Sequence, residues 1–131
     1  MLTWANFHSV GLGDTQGFVA LDHTNQLIVI SFRGSQSIQN WISNLDVAME
    51  PFSICSGCQA HSGFLDSWNS AKTIVQGAID GAKSANPSYN IVATGHSLGA
   101  ALATLAAADL RNSGYNIALV RLPSTFAVRR D

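Results

Sequence analysis

The chain has 131 residues, 47% of them hydrophobic and 11% charged, with a formal net charge of -1 at pH 7. A chain of this length buries roughly two thirds of its unfolded surface, enough for one core, and the apolar composition excludes disorder. The near-neutral charge, with no basic cluster beyond Arg129 and Arg130, excludes a nucleic-acid partner, and the longest apolar run, at 27–30, is far too short to cross a bilayer.

The opening MLTWANFHSV carries neither a basic stretch nor a long apolar one, so it does not read as a secretion leader. Residues 17–21 and 27–32 are apolar, β-prone runs around a polar turn at 22–26, which predicts a hairpin. Beyond the polar loop at 33–37, Ile38, Trp41, Ile42 and Leu45 recur at helical spacing and predict a short amphipathic helix with Ser37 as its N-cap. Cys55 and Cys58 in CSGC suit a small-loop disulfide in an oxidising compartment. With His61 they would make three zinc ligands, but no further cysteine supplies a fourth, and a redox pair lacks the strand and helix pattern of that fold.

Between 63 and 83, Phe64, Trp68, Ala71, Val75, Ala78, Ile79 and Ala82 keep a helical period that Asn86 and Pro87 stop. A buried strand at 91–93 leads into GHSLG, and an Ala- and Leu-rich helix at 98–111 ends in Asn112, Ser113 and Gly114, a C-terminal cap. A strand at 117–120 follows, and 121–131 shows no period and reads as irregular. Strands alternating with helices predict an α/β architecture in three layers.

Gly95-His96-Ser97-Leu98-Gly99 is Gly-x-Ser-x-Gly at a strand-to-helix turn, the pattern of a nucleophile elbow. A sharp turn there forces the serine into strained dihedrals, and the glycines leave room for it. Its oxygen then stands at a helix N-terminus, where the Leu98 amide can donate to an oxyanion. The competing reading is a structural serine in a glycine-rich turn. In such elbows an acid and then a histidine follow the nucleophile, yet His8, His23, His61 and His96 all precede Ser97. Asp109 lies about 18 Å up the helix axis, too far to orient a base at Ser97.

FRGS at 32–35, SIQNWISNLD at 37–46, CSGC at 55–58, HSGF at 61–64 and GHSLG at 95–99 together resemble the secreted fungal class 3 lipases. The likeness is to triacylglycerol lipases of the Thermomyces lanuginosus type, with feruloyl esterases as cousins, and spans roughly 11–117. It implies an incomplete three-layer sheet of the α/β-hydrolase type, with Ser97 as nucleophile and with Ser35 and the Leu98 amide as oxyanion donors. A capping role suits Ser35 as well. The helix at 38–45 matches the family's lid, with Trp41 where the lid tryptophan stands, and His61 resembles a structural hydrogen-bonding partner.

The implied substrate is an acylglycerol ester at a lipid–water interface, with no cofactor, no metal and secretion by resemblance. Ala100 replaces the glycine common after GHSLG, and the family's segments bearing the catalytic aspartate and histidine do not appear. The chain therefore reads as a single lipase-like domain, truncated at both ends and inactive or severely impaired. The alternatives are a non-catalytic lipase fragment or lipid-surface-binding protein, and a feruloyl esterase-like hydrolase, against which SIQNWISNL stands.

Overall fold

A computed structural model describes residues 2–8, 16–33, 49–121 and 129–130 of the chain. In chain order these form β1 (Leu2–His8), β2 (Gln16–Asp22), β3 (Leu27–Arg33), β4 (Met49–Pro51), β5 (Cys58–His61), α1 (Ser62–Ala85), β6 (Asn90–Gly95), α2 (Leu98–Asn112), β7 (Ile117–Arg121) and β8 (Arg129–Arg130). The larger sheet has the order β1-β2-β3-β6-β7, antiparallel over its first three strands and parallel from β3 to β7. The smaller sheet is β4-β5-β8.

The hairpin of β2 and β3 forms as the sequence predicts, one residue longer at each outer end. Asp22 holds its turn by accepting the Asn25 amide at 3.1 Å and the Asn25 Nδ2 at 2.9 Å. The Asn25 side chain, helped by the Asn25 backbone, keeps the Asp22 carboxyl below its ordinary pKa. Register then builds the core in rows. Ile30 stands beside Val19 and Ala93, and Ile28 beside Leu21 and Ile91, all buried.

Crossovers carry the chain from β3 to β6 and from β6 to β7, and the right-handed rule for parallel strands puts both on one face of the sheet, consistent with the contact between α1 and α2. All seven apolar residues that set the period of α1 are buried. The helix starts with His61 as N-cap, whose Nδ1 accepts the Gly63 amide at 3.1 Å. At the end of α2, Gly114 takes φ +101°, the Gly114 amide donates to Arg111 O at 3.0 Å and the Tyr115 amide to Leu110 O at 3.0 Å. That double bond pattern is a Schellman cap, and it needs the glycine because an L side chain resists positive φ.

Three features depart from the sequence reading. β1 forms an edge strand, with Trp4 in a bulge between Thr3 and Ala5. β4 and β5 form a hairpin that the sequence did not announce, although the Cys55–Cys58 disulfide in its turn is the pairing that CSGC suggested, and it leaves no free thiolates there for zinc. The stretch 121–131, read as irregular, contributes Arg121 to β7 and β8 to the smaller sheet, where Arg130 pairs with Cys58 and Arg129 with Gln59. Backbone pairing to a ready edge needs no side-chain period, so these residues gave no signal.

Glu50, on β4, titrates above its ordinary value because it is half-buried and because the Asp66 carboxylate of α1 faces it and shares a hydrogen bond. The folded state thus binds the Glu50 proton more tightly than the unfolded chain. This contribution to stability is present below pH 4.5 and is lost as pH rises through the folded pKa. Glu50→Gln, which keeps a donor for Asp66, is expected to be the more stable form at pH 7. Thermal melts should show that advantage shrinking towards pH 4, and an advantage independent of pH would contradict the assignment.

Candidate active site

The site is built where β6 turns into α2. Ser97 has φ 56° and ψ -119°, a left-handed backbone that a non-glycine residue adopts only under compensation. Two glycines supply it. A Cβ on Gly95 would lie 2.2 Å from Gly99 O, and a Cβ on Gly99 would lie 2.2 Å from Phe32 O. Gly95, Gly99 and the end of β3 are thus stacked backbone on backbone, and the turn closes with Gly99 N donating to His96 O and Ala100 N to Ser97 O, each at 3.0 Å.

Leu98 opens α2, so its amide is among those that no carbonyl of the same helix can satisfy, and among the described residues it has no acceptor. The Ser97 side chain is not spent on capping that helix. A half-buried hydroxyl and a free amide at a positive helix end form a pair suited to attack on a carbonyl and to holding the oxyanion that results. His96 is exposed, and Ala100 is fully buried in the first turn without displacing Gly99 from Phe32. Ser35, expected as an oxyanion donor, and Ile38, Trp41, Ile42 and Leu45, expected to form a lid, lie outside the described residues.

No histidine is bonded to Ser97 among the described residues. His23 sits in the β2–β3 turn against the Tyr89 hydroxyl, at the far end of β6 and about 20 Å from Ser97 at the usual rise per strand residue. His8 ends β1, three strand spacings or about 14 Å from β6. His61 is at the right end of the sheet, but its Nδ1 accepts Gly63 N–H, which puts the ring proton on Nε2 and makes that atom a donor. Nε2 is buried and has no partner among the described residues.

Asp109, expected to be unable to serve Ser97, is engaged elsewhere. Its Oδ2 accepts Trp68 Nε1 at 2.8 Å and faces Lys72 Nζ at 2.9 Å, both on α1. The sequence carried a signal for this that the motif reading passed over. Leu98, Leu102, Leu105 and Asp109 fall on one helical stripe, so an acid on the apolar face required a buried partner.

Residues 29–127 match the family described as Lipase (class 3). The chain is 42% identical over 110 residues to the secreted mono- and diacylglycerol lipase A of Penicillium cyclopium, covering 84% of this chain and 36% of that protein. It is 40% identical over 109 residues to a lipase of Rhizomucor miehei, covering 82% of this chain and 29% of that one. Among solved structures, the mono- and diacylglycerol lipase of Aspergillus oryzae superposes with a TM-score of 0.79 at 43% identity, over 86% of this chain and 42% of that chain. The fold is therefore that of the α/β-hydrolase fungal lipases, and the chain spans about a third of the length of the curated relatives it matches.

Proposed function

Because the chain belongs to the class 3 lipase family, we propose that it acts on acylglycerol esters, with Ser97 as the nucleophile. The observation that carries this reading is the strained Ser97 backbone, held by Gly95 and Gly99 beside a free Leu98 amide. Ser97 Oγ attacks the ester carbonyl carbon and its proton leaves to a base. The oxyanion accepts hydrogen bonds from the Leu98 amide and from Ser35. Collapse expels the protonated glyceride alcohol, and water hydrolyses the acyl-serine to release the fatty acid.

The lid residues Ile38, Trp41, Ile42 and Leu45 meet the lipid surface in this reading, through the apolar face of their helix. The secreted lipases of Penicillium and Fusarium among the relatives, together with the Cys55–Cys58 disulfide, support a secreted protein. No helix among the described residues is long and apolar enough to cross a membrane.

Turnover by this chain is severely impaired in our reading, because none of the described histidine side chains, those of His23, His61 and His96, is bonded to Ser97 and the groups of such a site act as a unit. Hydrolysis of nitrophenyl butyrate by the folded chain is expected to run at least about a thousandfold below the Penicillium cyclopium relative beside it, with a residue that Ser97→Ala removes. Equal rates in the chain and in Ser97→Ala would overturn the hydrolase reading. The absence of a bonded histidine also favours a second reading, lipid-surface binding without catalysis. Co-sedimentation with emulsified acylglycerol that is lost in Trp41→Ala, alongside no Ser97-dependent turnover, would support that alternative.

A further inference from the structure

Asp109 is the one charged side chain that is buried among the described residues, 6% exposed in the inner face of α2. Even after relaxation, a buried ion costs several kcal/mol unless its partners repay it, and a hydrophobic residue of similar volume often does as well. Its best-attested use is to fix register. The packing here calls for such a device, because the buried face of α2 contains Ala100, Ala101, Ala103, Ala106 and Ala107. Leu98, Leu102, Leu105 and Leu110 supply the deeper ridges between these shallow ones, and a directional polar contact adds a constraint that the alanine rows by themselves do not.

One oxygen of Asp109 is gripped from two successive turns of α1, by Trp68 and by Lys72 four residues on. Trp68 is fully buried and meets Phe32 edge to face, with ring centroids 6.1 Å apart at 72°. Phe7 also packs edge to face on Phe32, with ring centroids 5.3 Å apart. Phe32 ends the inward row of β3, and its carbonyl is the atom against which Gly99 rests. A chain of contacts thus runs from the C-terminal part of α2 through α1 and β3 back to the first turn of α2, where Ser97 and Leu98 stand.

We infer that Asp109 is a positioning residue for the Ser97 site: through Trp68 and Phe32 it sets where the first turn of α2 lies against the end of β3. Its importance for catalysis rests on the hydrolase reading above, whereas the positioning itself can be read without turnover. Asp109→Asn keeps a carbonyl oxygen for both donors, and Asp109→Leu keeps the volume and removes them.

The test is the amide spectrum of the nitrogen-15-labelled chain. In Asp109→Leu the Trp68 indole signal should move, and with it the amides of Arg33, Ser97, Leu98 and Gly99, about 17 Å of helix axis from the substitution. In Asp109→Asn these signals should return close to their original places. Trp68→Phe, which loses the donor and keeps a ring on Phe32, serves where Asp109→Leu does not fold, and should move the same amides. Changes confined to Trp68, Lys72 and the turn around residue 109 would overturn the inference. If the site amides move as expected and the unsubstituted chain shows no Ser97-dependent turnover, the hydrolase reading fails and the positioning stands. If Ser97-dependent turnover is present and the site amides stay fixed, the positioning fails alone.

Discussion

Trp68→Ala is expected to remove about 5 kcal/mol from the stability of the fold, a third or more of what a domain commonly has. The indole is the largest fully buried side chain described, packed on Phe32 with no exposed surface. Truncating such a ring costs about 3–5 kcal/mol through lost transfer energy and the cavity left behind. Asp109 then loses a buried donor, which adds about 1–3 kcal/mol. Urea unfolding followed by circular dichroism should show the transition moving to much lower denaturant or disappearing. Trp68→Phe should fall between, since it refills part of the cavity and leaves Lys72 on the carboxylate. A transition for Trp68→Ala within 1 kcal/mol of the parent, about the loss of a single exposed contact, would contradict the packing described here.

Gly99→Ala is expected to do more damage to the site than to the fold. The added methyl would stand 2.2 Å from Phe32 O and 2.9 Å from Phe32 C, both backbone atoms that cannot rotate away. The first turn of α2 must lift from β3 by about an ångström, at a cost of about 1–3 kcal/mol of overpacking. The Leu98 amide moves with that turn, and a displacement of about 1 Å in a catalytic constellation reduces rate by about a hundredfold. Melting curves and Ser97-dependent ester turnover, measured on the same preparation, should show a modest loss in the first and near-complete loss in the second. Unchanged turnover would mean that the Leu98 amide takes no part.

How far the sequence revealed this arrangement depended on whether the information was local. The β2–β3 runs, the period of α1 and the GHSLG turn each announce themselves within a few residues, and each lies within two residues of where the pattern put it. β1 escaped because only Phe7 of its described side chains is buried, and the bulge at Trp4 breaks the alternation that marks a strand. β4, β5 and β8 are too short to carry a period. The Asp109–Trp68 bond joins residues 41 apart, and only the conflict of an acid on an apolar stripe hinted at it. The strained turn at Ser97 was legible because it is a local feature that needs its glycines at fixed offsets, whereas a base can come from anywhere in the chain.

In the proposed reading, Ser97 stands ready as a nucleophile beside the Leu98 amide, with no base bonded to it among the described residues. Added imidazole supplies a base from solution. The most direct test is nitrophenyl butyrate hydrolysis by the folded chain across an imidazole series, read against Ser97→Ala in the same solutions. A Ser97-dependent excess that grows with imidazole is expected. Coincident rates for the two folded proteins at every imidazole concentration would contradict it.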